Sequence, residues 1–312
     1  MNNANYQTAA NMFDGWREDV LTGKPPTLYP VGSGELARIE VGPNLVTLIG
    51  GAPGAGKTAF TMQCAVDALR LTESLRVLVC NIEMPPAVLL DRQLARLSGI
   101  DAATIRYRKL DGSHADRVDQ ALNTLERVAE RLCFVRPPFD LANVAAAADA
   151  FNASLLVLDY IQRIPPPGAY GDRRGSVDAT MNYLRQFADA GVAVVVVAAV
   201  ARTKDNHGRS SYAGDSLSLA SFRESSELEF GADDAFILSP DKKAVELVQL
   251  RHLKARHTEP HDLTLHFDRK RQQFTPTDTA TSKPKPDGKL QSALGSLWDQ
   301  TEPAADAEDD DA

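Results

Sequence analysis

Between Pro30 and about Pro276, apolar runs of strand length alternate with stretches whose apolar residues recur every three to four positions. The runs predict strands at Leu45–Ile49, Val77–Ile82, Leu132–Val135, Leu155–Leu158, Val192–Val200, Ala235–Leu238, Val245–Leu250 and Leu263–Phe267. The early runs are apolar throughout and separated by helical patterns, as expected of parallel strands covered on both faces. The last ones lie close together and alternate apolar with polar, which predicts an antiparallel extension at one edge of the sheet. The expected fold class is therefore α/β, a mostly parallel central sheet with an antiparallel edge. Ahead of it, Tyr6, Ala9, Phe13, Trp16 and Val20 form an amphipathic helical stripe that Gly23, Pro25 and Pro26 end. That gives three zones: an N-terminal helix over 1–29, an α/β domain over 30–276, and a C-terminal segment over 277–312. In the last zone TDTATSKPKPDG has linker composition, and Leu290, Ala293, Leu294, Leu297 and Trp298 form one short helical stripe.

Charge changes this picture in one place. The formal net charge is −8, and Asp299, Glu302, Asp306, Glu308, Asp309, Asp310 and Asp311 put seven of those charges in the last fourteen residues, without a Lys or Arg. The body is near neutral, so the net charge does not exclude a polyanionic partner. The tail is a solvating end, a docking peptide for a partner, or an acidic segment that competes with nucleic acid. Cys64, Cys80 and Cys133 sit in apolar stretches and match neither a disulfide framework nor a zinc spacing. The longest apolar run, Gly191 to Ala201, is about half of the roughly 20 residues of a membrane span. The N-terminus lacks the basic and apolar regions of a signal peptide. A cytoplasmic, membrane-free setting is the expectation.

The strongest chemical signal is GAPGAGKT: Gly51, Ala52, Pro53, Gly54, Ala55, Gly56, Lys57 and Thr58. It fits G-x-x-x-x-G-K-[ST] and lies between an apolar strand and a helical pattern, the context in which the motif binds phosphate. Small residues let backbone N–H groups close around phosphates, and a helix N-terminus adds its positive dipole end. Lys57 would reach the β and γ oxygens and the Thr58 hydroxyl would bind Mg²⁺. The implied ligand is a nucleoside triphosphate, ATP, with Mg²⁺ as cofactor.

Two carboxylates extend this site. Asp159 ends the apolar strand Leu155–Leu158 in the form of a Walker B segment, where it would hold Mg²⁺ through water. Glu83 ends the strand Val77–Ile82. It is a cap for a helix opening at Pro85–Pro86 or, if its strand neighbours the one before the phosphate loop, a general base that polarises the attacking water.

Four further segments resemble successive motifs of the DnaB-like replicative helicase family in its RecA-like ATPase domain: NIEMPP (81–86), LVLDYIQRI (156–164), SFRESSELEFGADDAFIL (221–238) and KARHTEPHDLTLHF (254–267). Their order and spacing around GAPGAGKT also match, over roughly 30–274. The resemblance implies a RecA-like P-loop NTPase, a hexameric ring with ATP sites between subunits, and single-stranded DNA in the central channel. By that resemblance Glu83 is the catalytic glutamate and Asp159 the Walker B aspartate. Lys254 and Arg256 are the Lys-x-Arg pair that reaches a neighbour's site, and Arg223 and Glu224 are a structural pair near the channel loop. Two cations two residues apart on a strand share one face, and an arginine supplied in trans stabilises charge on a transferring phosphoryl group. Without the resemblance the pair reads as a solvated edge strand. The Gly-, Ser- and basic-rich stretch 202–221 is the channel loop, with Lys204 and Arg209 tracking a phosphate backbone, or else a surface insertion.

The chain departs from the family pattern at three points. Where the family has a polar Ser-Gln pair that senses the γ-phosphate, this chain has Ala198 and Ala199, whose side chains donate no hydrogen bond. The turn HTEPHD after Arg256 lacks the expected glycines. The length leaves no room for the family's N-terminal helical domain; the helix ahead of the sheet packs on an adjacent subunit or folds back on its own domain. His252, His257, His261 and His266 crowd one region without completing a ligand spacing. Two functions remain open: an ATP-dependent, ring-forming helicase or translocase of a phage, plasmid or other mobile replicon, and a RecA-like ATPase that remodels a partner without unwinding. A recombinase-like filament protein fits the 223–234 segment less well.

Overall fold

The computed structural model describes residues 6–168, 173–200, 203–204, 210–211, 222, 231–241 and 244–277. In chain order the elements are α1 (Ala9–Thr22), β1 (Val46–Gly51), α2 (Lys57–Leu71), β2 (Val77–Asn81), α3 (Pro86–Ser98), α4 (Ala102–Arg106) and α5 (Ala115–Ala129). They continue with β3 (Leu132–Phe134), α6 (Leu141–Phe151), β4 (Leu155–Asp159), α7 (Arg173–Asp189), β5 (Ala193–Ala199), β6 (Thr203–Lys204) and β7 (Ser210–Ser211). The chain then runs through β8 (Asp234–Pro240), β9 (Leu247–Ala255), β10 (Leu263–Asp268) and β11 (Gln273–Pro276).

Nine of these strands form one sheet in the order β11-β10-β9-β8-β1-β5-β4-β2-β3. From β8 to β3 neighbouring strands run parallel, and β9, β10 and β11 add an antiparallel edge. All eight expected strands are present. Two details differ from the sequence expectation. The ninth strand, Gln273–Pro276, has no apolar run to signal it, because its four residues follow a turn of charged and amide side chains. β9 starts two residues later than expected and runs five residues further, since Val245 is exposed and pairing with β8 continues to Asp234↔Ala255.

Burial follows the two-residue period of a pleated sheet. Ile49, Val77, Val79, Leu155, Val157 and Val195 face a core built with α2 around Phe60, Met62 and Leu69. Val46, Leu48, Leu78, Leu156, Leu158, Val194 and Val196 face a second core that includes Val144 of α6 and Leu184 of α7. Both faces are thus covered, which is why these runs are continuously apolar.

The antiparallel edge is fastened to α2. The Phe267 and Phe274 rings stack at 4.0 Å and Phe60 meets Phe274 edge-on at 5.3 Å; each buried ring contributes about 1.5–3 kcal/mol. Gln63, in the middle of α2, donates to the Phe274 carbonyl at 2.8 Å and accepts from the Phe274 amide at 2.8 Å. Local chemistry sets the helix ends: Pro86 opens α3 with φ already helical, and the Asp140 carboxylate accepts from the Asn143 amide at the start of α6. The short pairing of β6 with β7 falls inside the stretch expected to be a channel loop. No described helix is long and apolar enough to cross a membrane.

Candidate nucleotide site and its opposite edge

β1 ends at Gly51 and α2 begins at Lys57, so 52–56 form the strand-to-helix loop that the motif requires. Gly56 sits at φ +95°, and a Cβ there would lie 2.7 Å from Phe274 Cζ and 2.8 Å from Phe267 Cε1. Glycine is demanded twice over, by backbone conformation and by the aromatic wall. Lys57 Nζ donates to the carbonyls of Gly51 at 2.8 Å and Ala52 at 3.1 Å. The Lys57 ammonium is held below its ordinary pKa by burial, against the opposing pull of Asp159 and then Glu83.

The strand period places Asp159, Asn81 and Ala199 on the α2 side of the sheet. Thr58 Oγ1 donates to Asp159 Oδ2 at 2.6 Å, and Asn81 Nδ2 donates to the same oxygen at 2.8 Å. Burial pushes the Asp159 carboxyl above the usual carboxylate range; the Thr58 hydrogen bond pulls it down, Glu83 pushes it up, and Lys57 and Arg92 pull it down. The hydroxyl and carboxylate oxygens of Thr58 and Asp159 are a hard donor set of the kind Mg²⁺ takes.

Asn81 also shapes the loop that follows. Its Oδ1 accepts from the backbone amides of Glu83 at 3.0 Å and Met84 at 2.8 Å, folding the chain after β2 into a turn that presents Glu83 to the cavity. The sequence condition on Glu83 is corrected here: β2 does not neighbour β1, because β5 and β4 lie between them. Glu83 nevertheless lines one cavity of about 450 Å³ with Lys57, Thr58 and Asp159, since its strand abuts β4, which ends in Asp159, and its loop is turned inward.

The same cavity is lined by residues that no sequence motif marks. Arg92, from α3, is brought in by helical geometry nine residues beyond Glu83; burial first, then Arg106, lowers its pKa, while Asp159 raises it. Arg269, from the turn between β10 and β11, donates to the Gly54 carbonyl at 2.9 Å and lies 4.9 Å over the Phe267 ring. Both are basic residues, one in the middle of a helix and one in a turn, that only the folded chain brings to the cavity. Ala199 also lines the cavity, and Gln162 holds its backbone from both sides, accepting from the Ala199 amide at 3.1 Å and donating to its carbonyl at 3.2 Å. The end of β5 is therefore tied to the segment after Asp159 through the backbone, where Ala198 and Ala199 offer no polar side chain.

Lys254 and Arg256 lie elsewhere. β9 runs antiparallel to β8, so its last residues sit at the N-terminal end of β8 and β1, where Ala255 pairs with Asp234. From Gly51 back to Val46, the distance along the strand is roughly 16 Å. Arg256 Nη1 meets Asp233 Oδ1 at 3.1 Å. This chain's own phosphate loop is out of the pair's reach. The side chain of Lys204, and Arg209, Arg223 and Glu224 entirely, lie outside the described residues, as do the tail acids and the Leu290–Trp298 stripe.

The family model for the DnaB-like helicase C-terminal domain matches residues 41–276. The chain belongs to the DnaB-like helicase family. Its relatives include the replicative DNA helicase DnaB of Pasteurella multocida, 26% identical over 198 residues, which are 61% of this chain and 41% of that protein. A probable plasmid replicative DNA helicase of Chlamydia trachomatis is 22% identical over 232 residues, 73% of this chain and 50% of that one. The chain thus spans about half the length, or less, of these curated relatives. Among solved structures a DnaB-like replicative helicase superposes with a TM-score of 0.72 at 18% identity, covering 87% of this chain and 67% of that one. An isolated ATPase domain superposes with a TM-score of 0.76, also at 18% identity, covering 88% of this chain and all of that one. These likenesses identify the fold as the RecA-like ATPase domain of such helicases.

Proposed function

We propose that this chain is the motor of a ring-forming, ATP-driven translocase that moves on single-stranded DNA, a replicative helicase of a mobile element such as a plasmid or phage. The observation that carries the reading is the separation of two half-sites across one sheet. Lys57, Thr58, Asp159 and Glu83 surround a cavity at the C-terminal ends of the parallel strands, and Lys254 and Arg256 lie at the opposite end. Copies arranged head to tail bring the second half of one against the first half of the next, and a heterologous interface of this kind generates a ring when its rotation closes. A hexamer is the form proposed.

In that ring Lys57 and the loop amides hold the β- and γ-phosphates, and Glu83, held in its turn by Asn81, takes the proton of the attacking water. Arg256 of the adjacent copy stabilises charge on the transferring phosphoryl group, with Lys254 beside it. Thr58 and Asp159 would hold Mg²⁺, which supplies charge neutralisation at the phosphates. Lys204 and Arg209 would meet the DNA backbone. The N-terminal helix supports assembly: α1 has no buried residue, and Met12, Phe13, Trp16 and Val20 leave half or more of their surface exposed. A stripe of that kind needs a partner, and an adjacent copy supplies one.

Strand displacement by the purified protein on a forked duplex with ATP and Mg²⁺ tests this function. Displacement with ATPase stimulated by single-stranded DNA is the expected result. A second reading, an ATPase that remodels a partner without unwinding, is favoured by Ala198 and Ala199, which offer no side-chain link from the γ-phosphate side to the stretch after β5. Stimulated ATPase without displacement under any loading condition would select it.

A further inference from the structure

Asp233 immediately precedes β8 and its side chain is 2% exposed. One oxygen, Oδ2, accepts from the Val46 backbone amide at 2.8 Å and from Arg185 Nη1 at 2.6 Å. Arg185 is itself fixed, donating to the Asn44 carbonyl at 2.6 Å and to Asp189 at 3.1 Å. The start of β1 and the helix α7 therefore clamp one side of the carboxylate. The other oxygen, Oδ1, faces Arg256 Nη1 at 3.1 Å, and the Arg256 side chain remains 43% exposed.

A buried carboxylate is costly unless each charge is matched, and Asp233 has more cationic and N–H partners than sheet formation needs. The arrangement has a use if Arg256 must be aimed. An arginine side chain is rich in rotamers, and a rigid anion at its base limits the orientations it samples before it meets a phosphate. A guanidinium has five N–H donors, more than one carboxylate oxygen takes up. The next residue, Asp234, is engaged differently, since it meets His252 Nε2 at 2.8 Å, inside the sheet edge.

We infer that Asp233 is a positioning residue for Arg256, a fixed anion clamped by Val46 and Arg185 that orients the guanidinium toward the adjacent copy's nucleotide. The inference rests on the trans-acting role proposed for Arg256 and adds the residue through which the fold controls it. Asp233 touches no nucleotide itself; its effect passes through Arg256.

The test is a double-mutant cycle on the assembled full chain with DNA-stimulated ATPase as readout. Asp233→Asn keeps the shape and an acceptor but removes the charge. Its kcat should fall by about ten-fold or more, with KM for ATP, affinity for a non-hydrolysable ATP analogue and oligomer mass unchanged. In an Arg256→Ala background the same substitution should cost nothing further, because the group it aims is gone. Wild-type kcat in Asp233→Asn, or an equal loss in both backgrounds, would overturn the inference. Asp233→Glu, which keeps the charge against Arg185 and shifts the oxygens by one methylene, replaces the Asn variant if that one does not fold; the same kcat loss is expected and wild-type kcat overturns it. Arg256→Ala at wild-type turnover would instead sink the trans role itself, whatever Asp233 does.

Discussion

At the C-terminal ends of β1, β4 and β2 the chain gathers Lys57, Thr58, Asp159 and Glu83 around one cavity, whereas at the N-terminal end of β1 the same sheet carries Arg256 against Asp233 and no phosphate loop. The two ends are connected differently. At the phosphate end the contacts are internal and mutual: Asp159 accepts from Thr58 and from Asn81, and Asn81 in turn holds the Glu83 amide. At the other end Asp233 is gripped from the interior, and the arginine beyond it is substantially exposed. On the proposed reading, binding belongs to one end and rate acceleration is divided between both, so substitutions at the two ends should separate binding from turnover.

The largest separation is expected from Arg256→Ala. Turnover should fall about 10³-fold, or about 4 kcal/mol of transition-state stabilisation, while equilibrium binding of a fluorescent ATP analogue stays at the wild-type value. Loss of binding together with turnover would erase the distinction between the ends. Glu83→Gln comes next, with turnover lower by about 10²-fold and analogue binding retained, because Glu83 follows β2 and is no part of the 51–58 loop. Asn81→Ala should act on the same step through the turn it holds, with a kcat loss of about ten-fold and a smaller change in KM; the readout is steady-state ATPase at saturating DNA. Its effect should vanish in a Glu83→Gln background. Gly56→Ala is the smallest in kinetic specificity and the broadest in structure. The Cβ contact with Phe267 and Phe274 at positive φ should cost about 1–3 kcal/mol of stability, visible as a lowered Tm and weakened nucleotide binding together.

The gathering of Lys57, Thr58 and Asp159 at one end of the sheet was legible in the sequence because its signals are local. They are a run of eight consecutive residues between a strand and a helix, and a strand with a terminal Asp. The alternation of apolar runs likewise revealed the eight main strands. The order of those strands was not legible, since β2 and β1 are equally apolar and nothing in either says that β5 and β4 intervene. Arg92 and Arg269 escaped for the same reason: each reaches the cavity from an element whose position is set by tertiary packing, α3 through its helical turn and the β10–β11 turn through the Phe60, Phe267 and Phe274 cluster. Asp233 lay in a segment that family resemblance marked, yet its role depends on Arg185, 48 positions earlier in sequence. Long-range ion pairs of this kind carry no periodicity to read.

The division of one site between copies is tested most directly by mixing two inactive variants. Lys57→Ala removes the phosphate lysine and leaves the arginine; Arg256→Ala does the reverse. Each alone should lack DNA-stimulated ATPase. Random co-assembly at equal amounts should restore about a quarter of wild-type turnover, since one interface in four then pairs an intact phosphate loop with an intact arginine. Recovery at that level is the expected result, and mixed assemblies of confirmed composition that remain as inactive as either parent would contradict a site shared between subunits.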